Sequence, residues 1–293
     1  MLSLQIKLLP LNQNSMNKKL ICNTKELQLD EPIIMGILNI GDESFFDGGL
    51  YTDAKTAVDR ALEMVKQGAK IIDIGAESTK PKAKKLNIEI ELERLNNVVP
   101  ILIKEFSNSE IIISVDTYKH EVMQNMLDIG VDLINDVYGF TQEKTQIMLS
   151  KYNCGVCIMH MQNNPSTMQD NPIYNDVITE VSEFLFRQAE QIKSKGVNKD
   201  RIILDPGFGF GKTLEHNIQL LKHFYEFKKL GYPCLAGLSR KSFLGQITGK
   251  TLEQRLAASL AGAVISVQNG ANILRVHDVA ETMDMMTILK HIR

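Results

Sequence analysis

The sequence predicts a single (β/α)₈ barrel of the TIM type with a short N-terminal extension, and three observations carry that prediction. Eight short, continuously apolar runs recur along the chain, stretches with helical spacing lie between them, and each apolar run ends on polar or charged residues. Hydrophobicity that is continuous rather than alternating is how parallel strands buried on both faces read. Strand–helix alternation repeated eight times closes such a sheet into a barrel; an open doubly wound sheet is the alternative.

Taken in order, residues 1–30 are rich in Asn, Gln, Lys and Leu, with no long periodic pattern. They read as an extension, either a tail with Met16 as the true start or a short strand or hairpin across the barrel bottom. The barrel domain is assigned to residues 31–293. Its strands are expected at Ile33–Leu38, Lys70–Ile74, Ile111–Val115, Leu133–Val137, Val156–Met159, Arg201–Leu204, Cys234–Leu238 and Ile273–Val276. Between them, Thr52–Lys66 places Ala57, Ala61, Leu62 and Val65 on one helical face and closes at Gly68. Asp176–Lys195 does the same with Val177, Val181, Phe184, Leu185 and Ile192, ending at Gly196. Leu214–Leu230 is expected to run as one helix to the terminator Gly231-Tyr232-Pro233. Leu252–Gln268 is Ala- and Leu-rich on nearly every side, as suits a helix packed on the sheet and against a second subunit. No linker composition interrupts the alternation, so one domain is expected.

Bulk properties narrow the function classes. A chain of 293 residues that is 44% hydrophobic and 23% charged can bury one large core. Its formal charge of −2 provides no global basic field, so neither nucleic acid nor a membrane surface is an expected partner. The four cysteines, Cys22, Cys154, Cys157 and Cys234, form no disulfide framework, and with no secretory pattern the expected location is a reducing cytoplasm. Cys154 and Cys157 have the spacing of a metal or redox pair, but no second pair completes a zinc site, so a structural role is expected.

The ends of the strands carry the chemistry. In order they close on Asn39, Asp73-Ile74-Gly75, Asp116, Asn135-Asp136, His160, Asp205, Ser239-Arg240-Lys241 and Arg275-Val276-His277-Asp278. Polar groups at the end of a buried strand cost several kcal/mol of desolvation unless they find partners, and in a barrel all these ends meet at one mouth. Some, such as Asp136 and Asp278, read equally well as turn or cap residues. Carboxylate and amide groups such as Asp116, Asn135 and Asp205 suit a flat heterocycle with N–H donors along one edge. Lys241, Arg275 and His277 supply positive charge for phosphate oxygens or a ring carbonyl. The run Asp205–Lys212 lets backbone approach a ligand at its glycines, with Phe208 and Phe210 to pack on it, but its spacing is not that of a nucleotide phosphate loop.

Nine motifs in order resemble the dihydropteroate synthase family of pterin-binding enzymes. They are Met35–Asn39, Asp47-Gly48-Gly49, Glu77-Ser78-Thr79, Ser114–Thr117, Ile134-Asn135-Asp136, Met159-His160-Met161, Asp205–Lys212, Ser239–Ser242 and Arg275–Asp278. They run from Pro32 nearly to the C-terminus. The resemblance implies a pterin pocket of Asp116, Asn135, Met159, Asp205, Phe210 and Lys241. It implies that Asn39 helps hold Mg²⁺ and pyrophosphate, with Lys80, Arg275 and His277 as phosphate partners. Phe45, Thr79, Pro81 and Ser242 would border the p-aminobenzoate site. Asn39, Asp116, Lys241, Arg275 and His277 are the residues it implicates in a dissociative, Mg²⁺-assisted transfer with no covalent protein nucleophile. Its small-molecule substrates would be a dihydropterin pyrophosphate and p-aminobenzoate, and a homodimer is implied.

Two loops depart from the family pattern. The first reads Gly41-Asp42-Glu43 where a Thr-Pro pair is usual, which removes a φ constraint and adds a charge. The second has Lys80 and Lys82 around Pro81 in place of Arg and Gly. A pterin-dependent methyltransferase shares the barrel and the pterin pocket, but does not need the Ser239–Ser242 and Arg275–Asp278 motifs. A paralogue that binds pterin without catalysis is the non-enzyme alternative.

Overall fold

The computed structural model describes residues 19–40, 50–77, 85–165 and 167–292. Eight parallel strands form the barrel: β3 (Ile33–Asn39), β4 (Ile71–Gly75), β5 (Ile112–Asp116), β6 (Leu133–Asp136), β7 (Gly155–Met159), β8 (Ile202–Asp205), β9 (Leu235–Ala236) and β10 (Ile273–Val276). They are hydrogen-bonded in the order β8-β7-β6-β5-β4-β3-β10-β9. A parallel bridge between Leu204 and Cys234, with the Leu204 N–H donating to Pro233 O at 2.9 Å, brings β9 back to β8. The sheet is therefore a ring, and the doubly wound alternative falls. The seventh strand is shorter than the apolar run Cys234–Leu238 suggested, because Gly237 and Leu238 already belong to the mouth.

Around the ring lie α1 (Leu50–Lys66), α2 (Ile88–Glu105), α3 (His120–Asp128), α4 (Glu143–Leu149), α5 (Val177–Ser194), α6 (Leu214–Lys222), α7 (Tyr225–Lys228), α8 (Ser242–Thr248), α9 (Leu256–Gln268) and α10 (Val279–His291). The start signals are chemical. Asp176 accepts from Ile178 N and Thr179 N at the head of α5, and Thr213 and His216 cap α6 reciprocally. The stretch Leu214–Leu230, expected as one helix, is two. It breaks at His223 and Phe224, where Phe224 turns in to pack on Phe208 and Phe227 in the core. The segment Leu252–Gln268 likewise divides into a 3₁₀ turn at Leu252–Gln254 and α9, with Arg255 between them.

Residues 19–28 form an antiparallel hairpin, β1 (Lys19–Cys22) and β2 (Lys25–Gln28), turning at Asn23, whose φ of 56° an Asn side chain tolerates well. Leu20, Cys22, Leu27 and Leu29 pack with Met35, Ile71, Ile112, Leu133, Cys157, Ile203, Leu235 and Ile273, a core inside the ring and separate from the one between ring and helices. Each buried leucine is worth roughly 1.5–3 kcal/mol, so the hairpin acts as a plug. Lys25 Nζ fastens it with 2.8 Å to Asp132 and 2.6 Å to Ile111 O. A Cβ at Gly155 would lie 2.4 Å from Cys22 Sγ, so glycine is needed where the plug meets β7.

Within each strand, residues two apart share a face. Ile71-Asp73-Gly75, Ile112-Ser114-Asp116, Leu133-Asn135, Ile203-Asp205 and Ile273-Arg275-His277 therefore climb the barrel interior from apolar floor to polar mouth. Among the described residues no helix is long and apolar enough to cross a membrane.

Candidate active site

The register of the sheet sets the site. Asn39 lies opposite Gly75, Gly75 opposite Asp116, and Asp116 opposite Asn135, so these positions form one rung at the mouth. One residue pair below, Asp73 is fully buried on β4. Its Oδ1 accepts from Ser114 Oγ at 2.6 Å, and its Oδ2 accepts from Arg275 Nε at 2.6 Å and Asn135 Nδ2 at 3.0 Å. Arg275 Nη2 donates to Asp116 Oδ2 at 2.6 Å. Asp116 Oδ1, on the mouth rung, is buried with no hydrogen-bond partner. An orphaned buried oxygen of this kind costs about 1–3 kcal/mol, which a ligand donor would recover.

Asp205 closes the opposite wall, its Oδ1 accepting from Gly207 N at 2.7 Å. Lys241, at the head of α8, donates to Phe208 O and sits 4.4 Å above the Phe210 ring. Met159 is buried opposite Asp205 in the sheet register. His277 Nδ1 lies 3.0 Å from Ser239 Oγ. The glycines of Asp205–Lys212 are required by geometry. Gly207 has φ 71° and a Cβ there would lie 2.0 Å from His160 O; Gly211 has φ 62° and would meet Gln162 O at 2.6 Å.

Burial dominates the electrostatics. It pushes Asp116 up to about 7 against the pull of Arg275, with Asp73 and Asp136 adding to the rise. It raises Asp205 although Lys241 opposes it, and it pulls Lys241 down to about 7 although Asp205 works the other way. For Arg275, burial is more than offset by Asp73 and Asp116, so the guanidinium stays charged. The pocket thus carries firm positive charge at Arg275 and groups at Asp116 and Lys241 that change state near neutrality.

The residue model for the pterin binding enzyme family matches residues 35–277, from β3 to the end of β10. The dihydropteroate synthase of Haemophilus influenzae is 45% identical over 270 residues, covering 92% of this chain and 97% of the relative. That of Escherichia coli (strain K12) is 42% identical over 272 residues, covering 93% and 95%. The chain belongs to the dihydropteroate synthase family of pterin-binding enzymes. Among solved structures, the Xanthomonas albilineans dihydropteroate synthase with 4-aminobenzoic acid superposes with TM-score 0.86 at 40% identity, covering 94% of this chain and 98% of that one. The Burkholderia cenocepacia dihydropteroate synthase complexed with 7,8-dihydropteroate gives TM-score 0.85 at 40% identity, covering 95% and 97%.

Of the residues singled out in the sequence, the structure brings Asp116, Asn135, Met159, Asp205, Phe210, Lys241, Arg275 and His277 to one end of the barrel, with Asn39 on the same rung. Ser242 opens α8 beside Lys241 and is exposed. Phe45, Thr79, Lys80 and Pro81, with Gly41, Asp42, Glu43 and Lys82, lie outside the described residues. Asp136 is a turn residue, accepting from Tyr138 N and Phe140 N at 2.8 Å each. Asp278 binds Arg240 through both carboxylate oxygens and so holds Arg240 at φ 57° beside Lys241. Cys154 and Cys157 face different cores, Cys154 outside the ring and Cys157 within it, and burial raises both thiols, so they do not form a pair.

Three residues escaped sequence reasoning. Asp73 was read only as part of a strand end, although its two-residue spacing from Ile71 placed it on the inner face. Lys212 is buried beneath the glycine-rich loop, donating to Phe210 O at 3.0 Å and His160 O at 3.3 Å, with Nζ 3.0 Å from His160 Nδ1. Burial lowers the pKa of both, and the Lys212 charge adds to the fall of His160 to about 2. Lys119 joins Glu77 and Glu91, and only the fold brings those three together.

Proposed function

We propose that this chain condenses 6-hydroxymethyl-7,8-dihydropterin pyrophosphate with p-aminobenzoate, giving 7,8-dihydropteroate and pyrophosphate. The observation that carries the reading is the ring of Asp116, Asn135, Asp205 and Lys241 at the barrel mouth, with Asp116 Oδ1 buried and unpartnered. Adjacent N–H donors on the edge of a pterin match such a set of acceptors. The names of the relatives point the same way, as do the neighbours solved with 4-aminobenzoic acid and with 7,8-dihydropteroate.

In this reading the bond between the pterin methylene and the pyrophosphate oxygen breaks first, and the oxygen keeps the electron pair. The aniline nitrogen then captures the methylene cation and releases a proton. Asp116 and Asp205 hold the pterin and stabilise its positive charge, while Lys241, Arg275 and His277 favour the departing anion. Ser242 borders the second substrate, and the family resemblance assigns Phe45, Thr79 and Pro81 to the same subsite and Lys80 to the pyrophosphate.

Among the described residues no group of three His, Cys, Asp or Glu side chains is arranged to hold a metal. Asn39 still fits magnesium, because its exposed amide oxygen at the mouth is a hard donor, and Mg²⁺ is commonly held by few protein ligands together with substrate phosphates. When bound there, the ion would neutralise leaving-group charge. We further assign the chain to the cytoplasm and to a homodimer. Helix α9, apolar around most of its circumference, exposes Ile265 and is the face proposed for the second copy.

A coupled assay for pyrophosphate release, run with and without p-aminobenzoate and Mg²⁺, tests the reaction. Release of pyrophosphate with formation of dihydropteroate supports it. Pterin binding with no product under any metal condition would leave a binding protein, and the reading would fail.

A further inference from the structure

We infer that Asp73 is a specificity-determining positioning residue: it turns the Asn135 amide so that the carbonyl oxygen, rather than the NH₂ group, faces the ligand. The inference rests on the proposed pterin reading of the same pocket and adds a residue that reading does not use.

The two ends of an Asn amide are nearly identical in shape and opposite in hydrogen-bonding sense, two donors on one and an acceptor on the other. A pocket that depends on such an amide needs something to prevent it from turning over. Asn135 is 5% exposed, and its Nδ2 donates to Asp73 Oδ2 at 3.0 Å. An ionised carboxylate only accepts, so the reversed amide would set two oxygens against each other. Two further bonds hold the Asp73 carboxylate in place. Arg275 Nε donates to the same oxygen at 2.6 Å, and Ser114 Oγ donates to the other at 2.6 Å. Asp73 itself is fully buried below the mouth rung, so it acts through Asn135 and Arg275.

The consequence is a pocket edge of uniform sense. Asn135 Oδ1 joins the unpartnered Asp116 Oδ1 and the carboxylate of Asp205, and with Asp116 in its ionised form all three are acceptors. A pteridine with a 2-amino-4-oxo edge offers donors to every one of them. Replacing its 2-amino group by methyl leaves acceptors buried without partners, which is the costly kind of mismatch.

The test compares affinities of 6-hydroxymethylpterin and its 2-methyl analogue by calorimetry on the wild-type protein, Asp73→Ala and Asp73→Asn. The wild-type protein is expected to prefer the 2-amino compound. In Asp73→Ala the amide loses its orienting partner and the preference is expected to shrink by about tenfold, the equivalent of one hydrogen bond. In Asp73→Asn the carboxamide oxygen still accepts from Asn135 and Arg275 while its NH₂ faces Ser114 Oγ. Most of the preference should return, to within about threefold of wild type on the same scale. A merely structural Asp73 predicts equal loss for both ligands, and an unchanged preference in Asp73→Ala overturns the inference. If Asp73→Ala does not fold, neutron diffraction from wild-type crystals with bound 6-hydroxymethylpterin decides. Deuterons of the Asn135 amide aimed at Asp73 support the assignment, and deuterons aimed at the pterin refute it. Should the wild-type protein bind neither pteridine, the pterin reading itself fails; discrimination by the wild type that survives in Asp73→Ala sinks only the role of Asp73.

Discussion

Lys119→Met removes a buried cation that lies between two buried carboxylates. Lys119 Nζ contacts Glu77 Oε2 at 2.5 Å and also Glu91 Oε2, and donates to Leu86 O at 2.8 Å. The side chains of Lys119, Glu77 and Glu91 are 11%, 7% and 2% exposed, so water cannot take over the role of the ammonium. Glu77 also accepts from Tyr118 OH at 2.7 Å and from Leu86 N at 3.0 Å, and Glu91 accepts from Thr117 Oγ1 at 2.6 Å. One cluster thus joins the end of β4, the start of α2 and the turn after β5, next to Asp116. Removing one member of a buried ion pair costs about 3–5 kcal/mol, a large share of the roughly 5–15 kcal/mol that keeps a domain folded. At about 2–4 °C per kcal/mol in a protein of this size, Tm should drop by roughly 10 °C. Burial works against the Lys119 charge, but Glu77 and Glu91 outweigh it and the folded pKa is raised. A raised lysine pKa gives stability that is fully present below the unfolded value near 10.5 and lost as pH rises through the folded value. The wild-type contribution is therefore complete at neutral pH. Thermal and urea unfolding of Lys119→Met measure the loss, and Lys119→Met combined with Glu91→Gln should recover part of it by removing one stranded charge. A Tm within about 2 °C of wild type in the single variant would refute the reasoning, since less than 1 kcal/mol would then rest on the cluster.

Three further predictions concern the pocket. Asp205→Asn should weaken pterin binding by about 2 kcal/mol or more, because a charge-assisted pair becomes a mismatched amide; calorimetry showing normal affinity would remove Asp205 from the site. Lys241, pulled down to about 7, should lose its proton as pH rises through neutrality, so kcat/KM should fall on the alkaline side. Lys241→Arg, which cannot deprotonate, should flatten that limb whatever it does to the maximum. Gly207→Ala puts a Cβ 2.0 Å from His160 O at φ 71°, so the loop carrying Phe208 and Phe210 must shift. Pterin affinity should drop more than p-aminobenzoate affinity, as fluorescence titration of each ligand will read.

How much of this was legible in the sequence follows from how local each cause is. Strand positions are encoded by runs of apolar residues a few positions long, and seven of the eight were placed closely because burial on both faces leaves a local mark. Asn39, Asp116, Asn135, Asp205, Lys241, Arg275 and His277 are singled out by a rule about strand ends: polar residues closing buried strands meet wherever parallel strands form a ring. Caps such as Asp176 and Thr213 are encoded within four residues of where they act.

The tertiary structure decided what depends on partners far apart in the chain. The break in Leu214–Leu230 comes from Phe224 entering a core built by Phe208 and Phe227, which helical periodicity does not encode. The hairpin of residues 19–28 became the floor of the barrel only because eight strands left an apolar hole of its size. Asp73 shows the difference most clearly. Its identity and its inward register could be read two residues from Ile71, but its meaning comes from Arg275, 202 positions away, and Asn135, 62 positions away. Sequence determines which groups a strand carries to the mouth, since that is set by alternation along one segment. Closing the ring decides which of them meet, because hydrogen bonds and ion pairs fall off within a few ångströms and only the fold brings those distances about.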